Sequence, residues 1–416
     1  MMRRNIGFRE ALDLVLEHVP TCGSEEEQLI GLSGRVLAED VLARVDSPLL
    51  DVSLKDGYAV RSEDVAVAGP DRPVALELIR CQVAGDLPGG KLAAGQAVRV
   101  TTGAPLPPGA EAVLAGEFAR ERNGVVTCHR DAGPGRNVLA GGTDVKAGQV
   151  VARRGERLHP ASIGLLAAAG LDRVRVTGLP RVQVIGTGDE VVFPGRPLPP
   201  GKLYASNIVE TAAWLNHFGL TACRVSTVPD RLETIRAAVE EDFENTDVFL
   251  SSGGAWSSER DLVVKLLDSL GWTGIFHRVR LGPGKAAGFG LLQGRPFFIL
   301  PGGPPSHEAA FLLLALPGLL AMTGRRGPVF PRLPARLAED VEGQADWTQV
   351  VHAKVEAGPD GLVARPVKAA SRLSSMAGKN ALFLLPEGNI RLAAGCVVEV
   401  EFLGRRTELD SPLSPL

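Results

Sequence analysis

The chain is poor in cysteine, and neither sign of charge prevails in it. Its five cysteines (Cys22, Cys81, Cys128, Cys223, Cys396) are odd in number, scattered, and form no Cys-x-x-Cys or Cys/His pair. This argues against a disulfide framework or zinc knuckle and for a reducing compartment, the cytoplasm by default. A net charge of −3 gives no electrostatic case for nucleic acid or a membrane surface. No uninterrupted apolar run approaches the ~20 residues of a membrane span. Met1-Met-Arg-Arg-Asn-Ile6 has charge but no apolar segment behind it, so no signal peptide is expected. The GxxxxGK[ST] loop is missing, as is any GxGxxG after a strand, which removes the common mononucleotide and dinucleotide fingerprints. The seven histidines are dispersed and none neighbours a glycine-elbow nucleophile, so no Ser/His/Asp or Cys/His arrangement can be argued. No internal repeat or low-complexity segment occurs.

What is present is an ordinary composition, 45% apolar and 22% charged, in 416 residues, too long for one core and suited to two to four domains. Against this background stand four glycine-rich turns: Gly186-Thr-Gly-Asp-Glu190, Ser251-Ser-Gly-Gly254 leading to Glu259-Arg-Asp261, Leu281-Gly-Pro-Gly-Lys285, and Leu300-Pro-Gly-Gly-Pro-Pro-Ser306. Glycines at strand ends permit close backbone approach to a ligand, and the amides opening the next helix favour anions. Carboxylates among such amides suit bare phosphate poorly unless a metal joins them. A phosphate-bearing ligand with a divalent cation is the first expectation.

The pattern along the chain divides it into four domains. Phe8, Ala11, Leu12, Val15 and Val19 have helical spacing, as do Ile163, Leu165, Leu166 and Ala169. These two helices are expected to pack together in a helical linker domain, residues 1–47 plus 142–176. Residues 48–141 show short β-like runs between Pro and Gly punctuation and read as an inserted β-rich domain. Residues 177–327 alternate strand and helix, with strands at Val182–Ile185, Arg224–Val228, Val248–Leu250 and Phe297–Leu300. That alternation predicts a doubly wound parallel sheet covered on both faces, with ligands beyond the carboxyl ends of its strands. Ser206, Asp230 and Ser306 are natural N-caps for its helices. Residues 328–416 read as a small all-β domain.

Several side chains carry candidate chemistry. Asp189 and Glu190 are adjacent, so at most one faces a metal while the other orients or caps. Asp261 could bind a cation or match a helix dipole. Asp230 reads as a cap or as a ligand-facing acid. Lys285, on a fixed turn, suits an oxyanion clamp, the alternative being a solvated lysine. His307 reads as a surface residue rather than a catalyst. Trp256 and Tyr204 could stack on a flat ring, although core burial is the commoner fate of such residues.

Taken in order, these segments resemble the molybdopterin molybdenumtransferases, the MoeA and gephyrin E-domain family. The resemblance runs from about Gly7 to about Glu401. It is carried by Asp51-Val-Ser-Leu-Lys-Asp-Gly-Tyr-Ala-Val60, Arg99-Val-Thr-Thr-Gly-Ala-Pro105, Thr187-Gly-Asp-Glu190, Ser251-Ser-Gly-Gly254, Gly282-Pro-Gly-Lys285, Leu300-Pro-Gly-Gly-Pro-Pro-Ser306 and Leu373-Ser-Ser375. It implies an elongated homodimer whose active site is shared between the central domain of one subunit and the inserted domain of the other. The substrates would be adenylylated molybdopterin and molybdate, or tungstate, with Mg²⁺-dependent release of AMP. Matched position by position, Asp56, Glu190, Asp230 and Asp261 would be the essential acids, with Glu190 and Asp261 candidates for the metal. Ser53, Thr102, Gly188, Asp189, Ser252, Gly253, Gly254, Pro283, Gly284, Lys285, Pro301, Gly302, Gly303, Pro304, Ser306 and Ser375 would contact substrate.

The chain also departs from that pattern. Gly282 stands where the family carries a lysine, Gly303 where it carries asparagine, and Gln349 near the place of an arginine. Lys55 and Ala205 replace an apolar residue and an acid. With up to two positive charges lost, an oxyanion would be held more weakly by ~1.5–3 kcal/mol per charged hydrogen bond. Three readings follow: a molybdenum-inserting enzyme, tungstate-preferring or not; a paralogue that binds molybdopterin without inserting metal; and a molybdopterin adenylyltransferase. Retention of all four acids favours the first.

Overall fold

The computed structural model describes residues 2–253, 262–368 and 373–404; Gly254, Trp256 and Asp261 of the second glycine turn lie outside them. Two compact units are present, residues 24–176 and the remainder, 2–23 with 177 onward.

In the larger unit a sheet is built on strands β2 (Val182–Thr187), β3 (Ala222–Val228), β4 (Val248–Ser252) and β7 (Arg295–Leu300). They lie parallel in the order β3-β2-β4-β7. Every residue of β2 and β4 is buried, which is why each reads as a continuous run rather than an alternation. Gln183, in the middle of β2, is tolerated there because its Nε2 donates to the Ala238 carbonyl at 2.7 Å. The sheet is not wholly parallel as expected. It continues through the antiparallel β6 (Gly288–Leu292) to β5 (Thr273–Gly282), and β1 (Arg3–Gly7) pairs in parallel along β5.

Helices α1 (Phe8–His18), α2 (Ser206–His217), α3 (Leu232–Glu240) and α4 (Leu262–Ser269) cover the sheet, together with a long helix from Pro304 to Met322. The helices stand where the sequence places them, but the caps do not. Ser206 is the first residue of α2, the cap position before α3 is Arg231 rather than Asp230, and Gly303 precedes the last helix, with no side-chain cap bond at any of them. Pro304 opens that last helix because proline is best placed at its first position, which moves Ser306 inside. Pro317 has no N–H for the carbonyl four residues back, and the preceding turn, Phe311–Ala315, widens to a π-helix. Pro304–Met322 is long and apolar enough to span a membrane, yet Phe311 to Leu316 are buried in the main core with Phe298, Leu250 and Val15.

The Phe8–His18 helix and the Pro160–Ala168 helix belong to different units. Phe8, Ala11, Leu14 and Val15 enter the core of the α/β sheet, whereas Leu166 joins Leu29, Leu37, Leu158 and Val176 in the smaller unit. The amphipathic stripe of the first helix was legible; its partner was not, because periodicity gives a face and not what covers it.

The end of the chain forms a closed five-stranded barrel. Arg332–Leu337, Thr348–Gly358, Gly361–Pro366, Ala381–Leu385 and Val397–Phe402 pair in a ring, which leaves no open edge. Its strand Thr348–Gly358 also joins the α/β sheet, Leu281 pairing with Thr348 and Gly282 with Gln349. The smaller unit holds a six-stranded sheet of strands between Gly57 and Cys128, the single α-helix Pro160–Ala168 among its described residues, and short two-stranded ladders. Gly57 cannot carry a side chain there, since a Cβ would stand 2.1 Å from the Leu114 carbonyl oxygen.

Two buried polar groups tie the larger unit together. Lys379 Nζ lies 2.7 Å from both carboxylate oxygens of Glu308, the side chains only 5% and 2% exposed. Burial, and the Glu308 carboxylate beside it, push the Glu210 carboxyl up to about 8. His307, expected on the surface, is buried, bridging Thr211 Oγ1 at 2.8 Å and the Pro301 carbonyl at 3.3 Å. The carbonyl can only accept, so Nδ1 carries the proton and Nε2 accepts from the hydroxyl.

Removing Lys379 would leave a buried carboxylate unpaired. Lys379→Met should lower unfolding free energy by about 3–5 kcal/mol in urea titrations, and adding Glu308→Gln should recover more than half of the loss. Burial also pushes His307 down to about 4, from an ordinary 6.5. The unfolded chain therefore binds the proton more readily, and this contribution to stability, complete above pH 6.5, is lost as pH falls toward 4. His307→Gln, which keeps a donor and an acceptor but does not titrate, should flatten the decline in urea midpoint between pH 7 and pH 4.5 relative to the parent chain.

Candidate functional site

The register of the parallel strands sets Gly186, Ser252 and Leu300 side by side. The turns that follow consequently leave the sheet at one level, and the chain after β3 joins them at Asp230. Here lies a cavity of about 910 Å³. Thr187, Glu190, Asp230, Ser252, Gly253, Pro283, Gly284, Lys285, Pro301, Gly302, Gly303, Pro304 and Ser306 all line it. Gly253 holds φ +98°, and a Cβ would approach the Thr187 carbonyl oxygen to 2.5 Å, so only glycine allows these two turns to touch.

The acids gather on one side. Asp230 accepts no cap bond; its own backbone N–H points at Asp189 Oδ1, 3.3 Å away. Burial raises the Asp230 pKa, with further contributions from the Glu190 and Asp189 charges, while Thr187 opposes the rise. Asp189 itself is not a lining residue; its carbonyl accepts from Lys202 Nζ at 2.5 Å, which steadies the first turn. Gly188, at φ +152°, is not a lining residue either.

Two cations line the cavity as well. Lys285, between β5 and β6, sits with Nζ 5.1 Å from the centre of the Trp347 ring, which holds it by cation–π attraction. Arg278 also lines the cavity, half-buried on β5 at φ +71°, its N–H bonded to the Ala287 carbonyl at 2.8 Å. Sequence reading passed over Arg278, which looks like one more arginine in Arg278-Val-Arg280. It restores a positive charge where only Lys285 was counted. Trp347 and Gln344, from the barrel, were missed as well, since only the pairing of Leu281 with Thr348 brings them to the cavity. Tyr204 lines the opening, 46% exposed, rather than the core.

Asn207 joins two of the turns. Its Nδ2 donates to Ser252 Oγ at 3.1 Å and to the Gly302 carbonyl at 2.8 Å. At the helix that follows the fourth turn, Pro304 and Pro305 carry no amide hydrogen, so anion contacts there fall to Ser306. An added Cβ at Gly282 or at Gly303 meets nothing within 4 Å, so both positions have open space for the side chains they lack.

Other expected residues lie elsewhere. Ser375, on the short helix Leu373–Ala377, and Gln349 do not line the cavity. Gly254 and Asp261 fall outside the described residues. Ser53, Lys55, Asp56 and Thr102 belong to the smaller unit. There Asp56 Oδ1 accepts from the Thr102 backbone N–H at 2.7 Å and its hydroxyl at 3.0 Å, and these bonds lower its pKa. Ser53 is buried and its hydroxyl accepts from the Lys55 N–H at 3.2 Å, shaping the same turn rather than facing outward.

Two carboxylates at the cavity and a third beside them, whose charges help to raise the Asp230 pKa, are a donor set that a hard divalent cation would relieve. Among the described residues no group of three acids, histidines or cysteines is arranged to enclose an ion.

Comparison with known proteins agrees with this architecture. Residues 6–170 match the MoeA N-terminal region (domain I and II), residues 183–321 a probable molybdopterin binding domain, and residues 334–403 the MoeA C-terminal region (domain IV). The chain is similar to molybdopterin molybdenumtransferase 2 of Mycobacterium tuberculosis, 32% identical over 397 residues, covering 93% of this chain and 97% of that protein. It is 31% identical to molybdopterin molybdenumtransferase of Bacillus subtilis over 388 residues, 92% of this chain and 90% of the other. A crystal structure of a molybdopterin biosynthesis MoeA protein from Pyrococcus horikoshii superposes with TM-score 0.83 at 33% identity, covering 96% of this chain and all of that one. With matches along nearly its whole length, the chain belongs to the MoeA family of molybdopterin molybdenumtransferases.

Proposed function

We propose that the protein transfers molybdenum from molybdate to the dithiolene of adenylylated molybdopterin, with cleavage of the diphosphate and release of AMP. The observation that carries this is a cavity in which four glycine turns meet and which two acids, Glu190 and Asp230, and two cations, Arg278 and Lys285, line together. A dianionic oxyanion and a diphosphate need cationic and amide donors, and Lys285, Arg278 and the turn amides offer them in a partly dry site, where they act more strongly than in water. Lys285 and Arg278 orient the oxyanion; the Pro301–Ser306 turn bounds the phosphates. Asp230 and Glu190 would hold Mg²⁺, which when bound neutralises charge on the phosphates. We further propose a homodimer in which the Asp56 turn of one copy serves the cavity of the other. The supporting feature is that Asp56 is exposed yet fixed in its ionised form by two bonds from Thr102.

The test is AMP release from adenylylated molybdopterin with Mg²⁺ and either molybdate or tungstate, followed by chromatography. Release with one of these anions is the expected outcome. Binding without release would make the protein a molybdopterin carrier, and pyrophosphate release from ATP plus molybdopterin would make it an adenylyltransferase. Asp230→Asn and Glu190→Gln should each lower kcat about 10²-fold. Mixing Asp230→Asn with Asp56→Asn protein should restore part of the activity if sites are shared, and none if each copy acts alone.

The space at Gly282 makes the missing charge restorable. Gly282→Lys should tighten molybdate binding about tenfold or more in equilibrium dialysis, and Lys285→Ala should weaken it comparably, one charged hydrogen bond being gained or lost. An unchanged affinity in Gly282→Lys would mean that the oxyanion sits away from this turn.

A further inference from the structure

Two basic side chains flank the turn between β5 and β6, and the barrel treats them differently. Arg280 Nη2 and Nε donate to Glu387 Oε2 at 2.9 and 3.3 Å, and its Nη1 donates to the Asn5 carbonyl at 2.8 Å. Its charge is neutralised within the fold, and it does not line the cavity. Lys285, at the far end of the turn, lines the cavity and rests against a ring, its Nζ 5.1 Å from the centre of Trp347. Trp347, half-buried, lines the cavity too. The ring is held in its turn. Its backbone N–H bonds to the Gln344 carbonyl at 3.1 Å, and the next residue, Thr348, pairs with Leu281 of β5. Gly388 N–H donates to the Ala345 carbonyl at 2.7 Å, which ties the Trp347 turn to the turn carrying Glu387. One edge of the barrel thus delivers a carboxylate to Arg280 and an indole to Lys285.

The partner decides what each cation can still do. A carboxylate cancels a positive charge and competes with an incoming anion for its hydrogens. An indole attracts an ammonium through its ring quadrupole, limits where the lysine chain can go, and brings no charge to set against it. The three hydrogens of the ammonium remain for acceptors away from the ring. Resting on the proposed function, in which Lys285 orients the oxyanion, we propose that Trp347 is a positioning residue of the oxyanion site. Its indole holds the Lys285 ammonium at the cavity with its charge intact, so that the barrel sets how tightly molybdate is bound.

Molybdate binding to the full-length protein is measured by equilibrium dialysis after tryptophan is replaced biosynthetically with its mono-, di- and trifluorinated forms. Fluorine withdraws charge from the face of the indole while hardly changing its size, so cation–π attraction weakens stepwise. The logarithm of the molybdate Kd should rise in proportion to the number of fluorines, and a flat series overturns the inference. The same series should be flat in Trp347→Leu and in Lys285→Ala. A slope that persists in Trp347→Leu would assign the effect to another tryptophan. A slope that persists in Lys285→Ala would show that the ring acts on the ligand directly. Either result overturns the proposal. Trp347→Leu itself should raise the molybdate Kd about fourfold, the size of a cation–π contact at an exposed site, and leave the KM for adenylylated molybdopterin unchanged. Parallel losses for both ligands would show that the side chain only braces the barrel turn, which overturns it as well. If the parent protein neither binds molybdate nor releases AMP, the proposed function fails first. If it does both while the fluorine series is flat, only the present inference fails.

Discussion

The register of three parallel strands governs everything else in the larger unit. Gly186 pairs with Ser252 and Ser252 with Leu300, so three turns start in a row about 10 Å long, set by the ~4.8 Å spacing of neighbouring strands. A slip of one residue in any strand would turn its buried side chains to the wrong face and lift its glycine turn out of the row. The strands are held against such a slip by complete burial, with Val184, Leu250 and Phe298 in the same core as the long Pro304–Met322 helix. The stability of the core and the geometry of the cavity are thus one constraint. His307 extends it to the fourth turn, fixing the Pro301 carbonyl from within the core instead of from the cavity.

Charges of both signs line the cavity, which suits a ligand with anionic groups and a companion cation. Burial, and then the nearby Glu190 and Asp189 charges, raise the Asp230 pKa. Lys285 and Arg278 line the same cavity, and Lys285 lies against the Trp347 ring. Gly282 reduces the positive side by one charge relative to the family pattern, and Arg278 offsets that reduction from the neighbouring turn of strand. The two are not equivalent. A guanidinium at a backbone position with φ +71° is directional and planar, whereas a lysine is a compact point charge. Such an exchange alters how an oxyanion is oriented more than whether it is bound.

Much of this was legible in the order of residues. Val182–Ile185, Val248–Leu250 and Phe297–Leu300 announced buried strands because a strand covered on both faces has no polar alternation to blur it. The glycine turns were legible because glycine at a strand end has few other uses. What failed depended on neighbours. Ser206, Asp230 and Ser306 have the chemistry of N-caps, but Pro304 claims the helix start in one case and Asp230 turns to the cavity in another. The β5 and β6 strands escaped notice because Gly274, Gly288 and Gly290 weaken the β signal. Their reason is tertiary: a Cβ at Gly290 would stand 2.4 Å from the Trp272 ring. Arg278 and Trp347 carry no local mark at all, since each acquires its place from pairing with a distant segment.

The barrel shows why that last class of residue matters. Its strand enters the α/β sheet for two residue pairs, Leu281 with Thr348 and Gly282 with Gln349, immediately before the turn that bears Lys285. Trp347 is thereby placed against the lysine, and Gln344 comes to the cavity wall. Two backbone pairs alone would be a weak joint. The buried contact of Lys379 with Glu308 supplies a second, joining the barrel to the helix that begins at the fourth turn. A charged pair so deep gains little net free energy over an apolar one, but a barrel displaced from it would strand a carboxylate in the core. The pair therefore acts less as a source of stability than as a penalty on misplacement, which keeps the aromatic ring and the lysine in register across two separately folded layers.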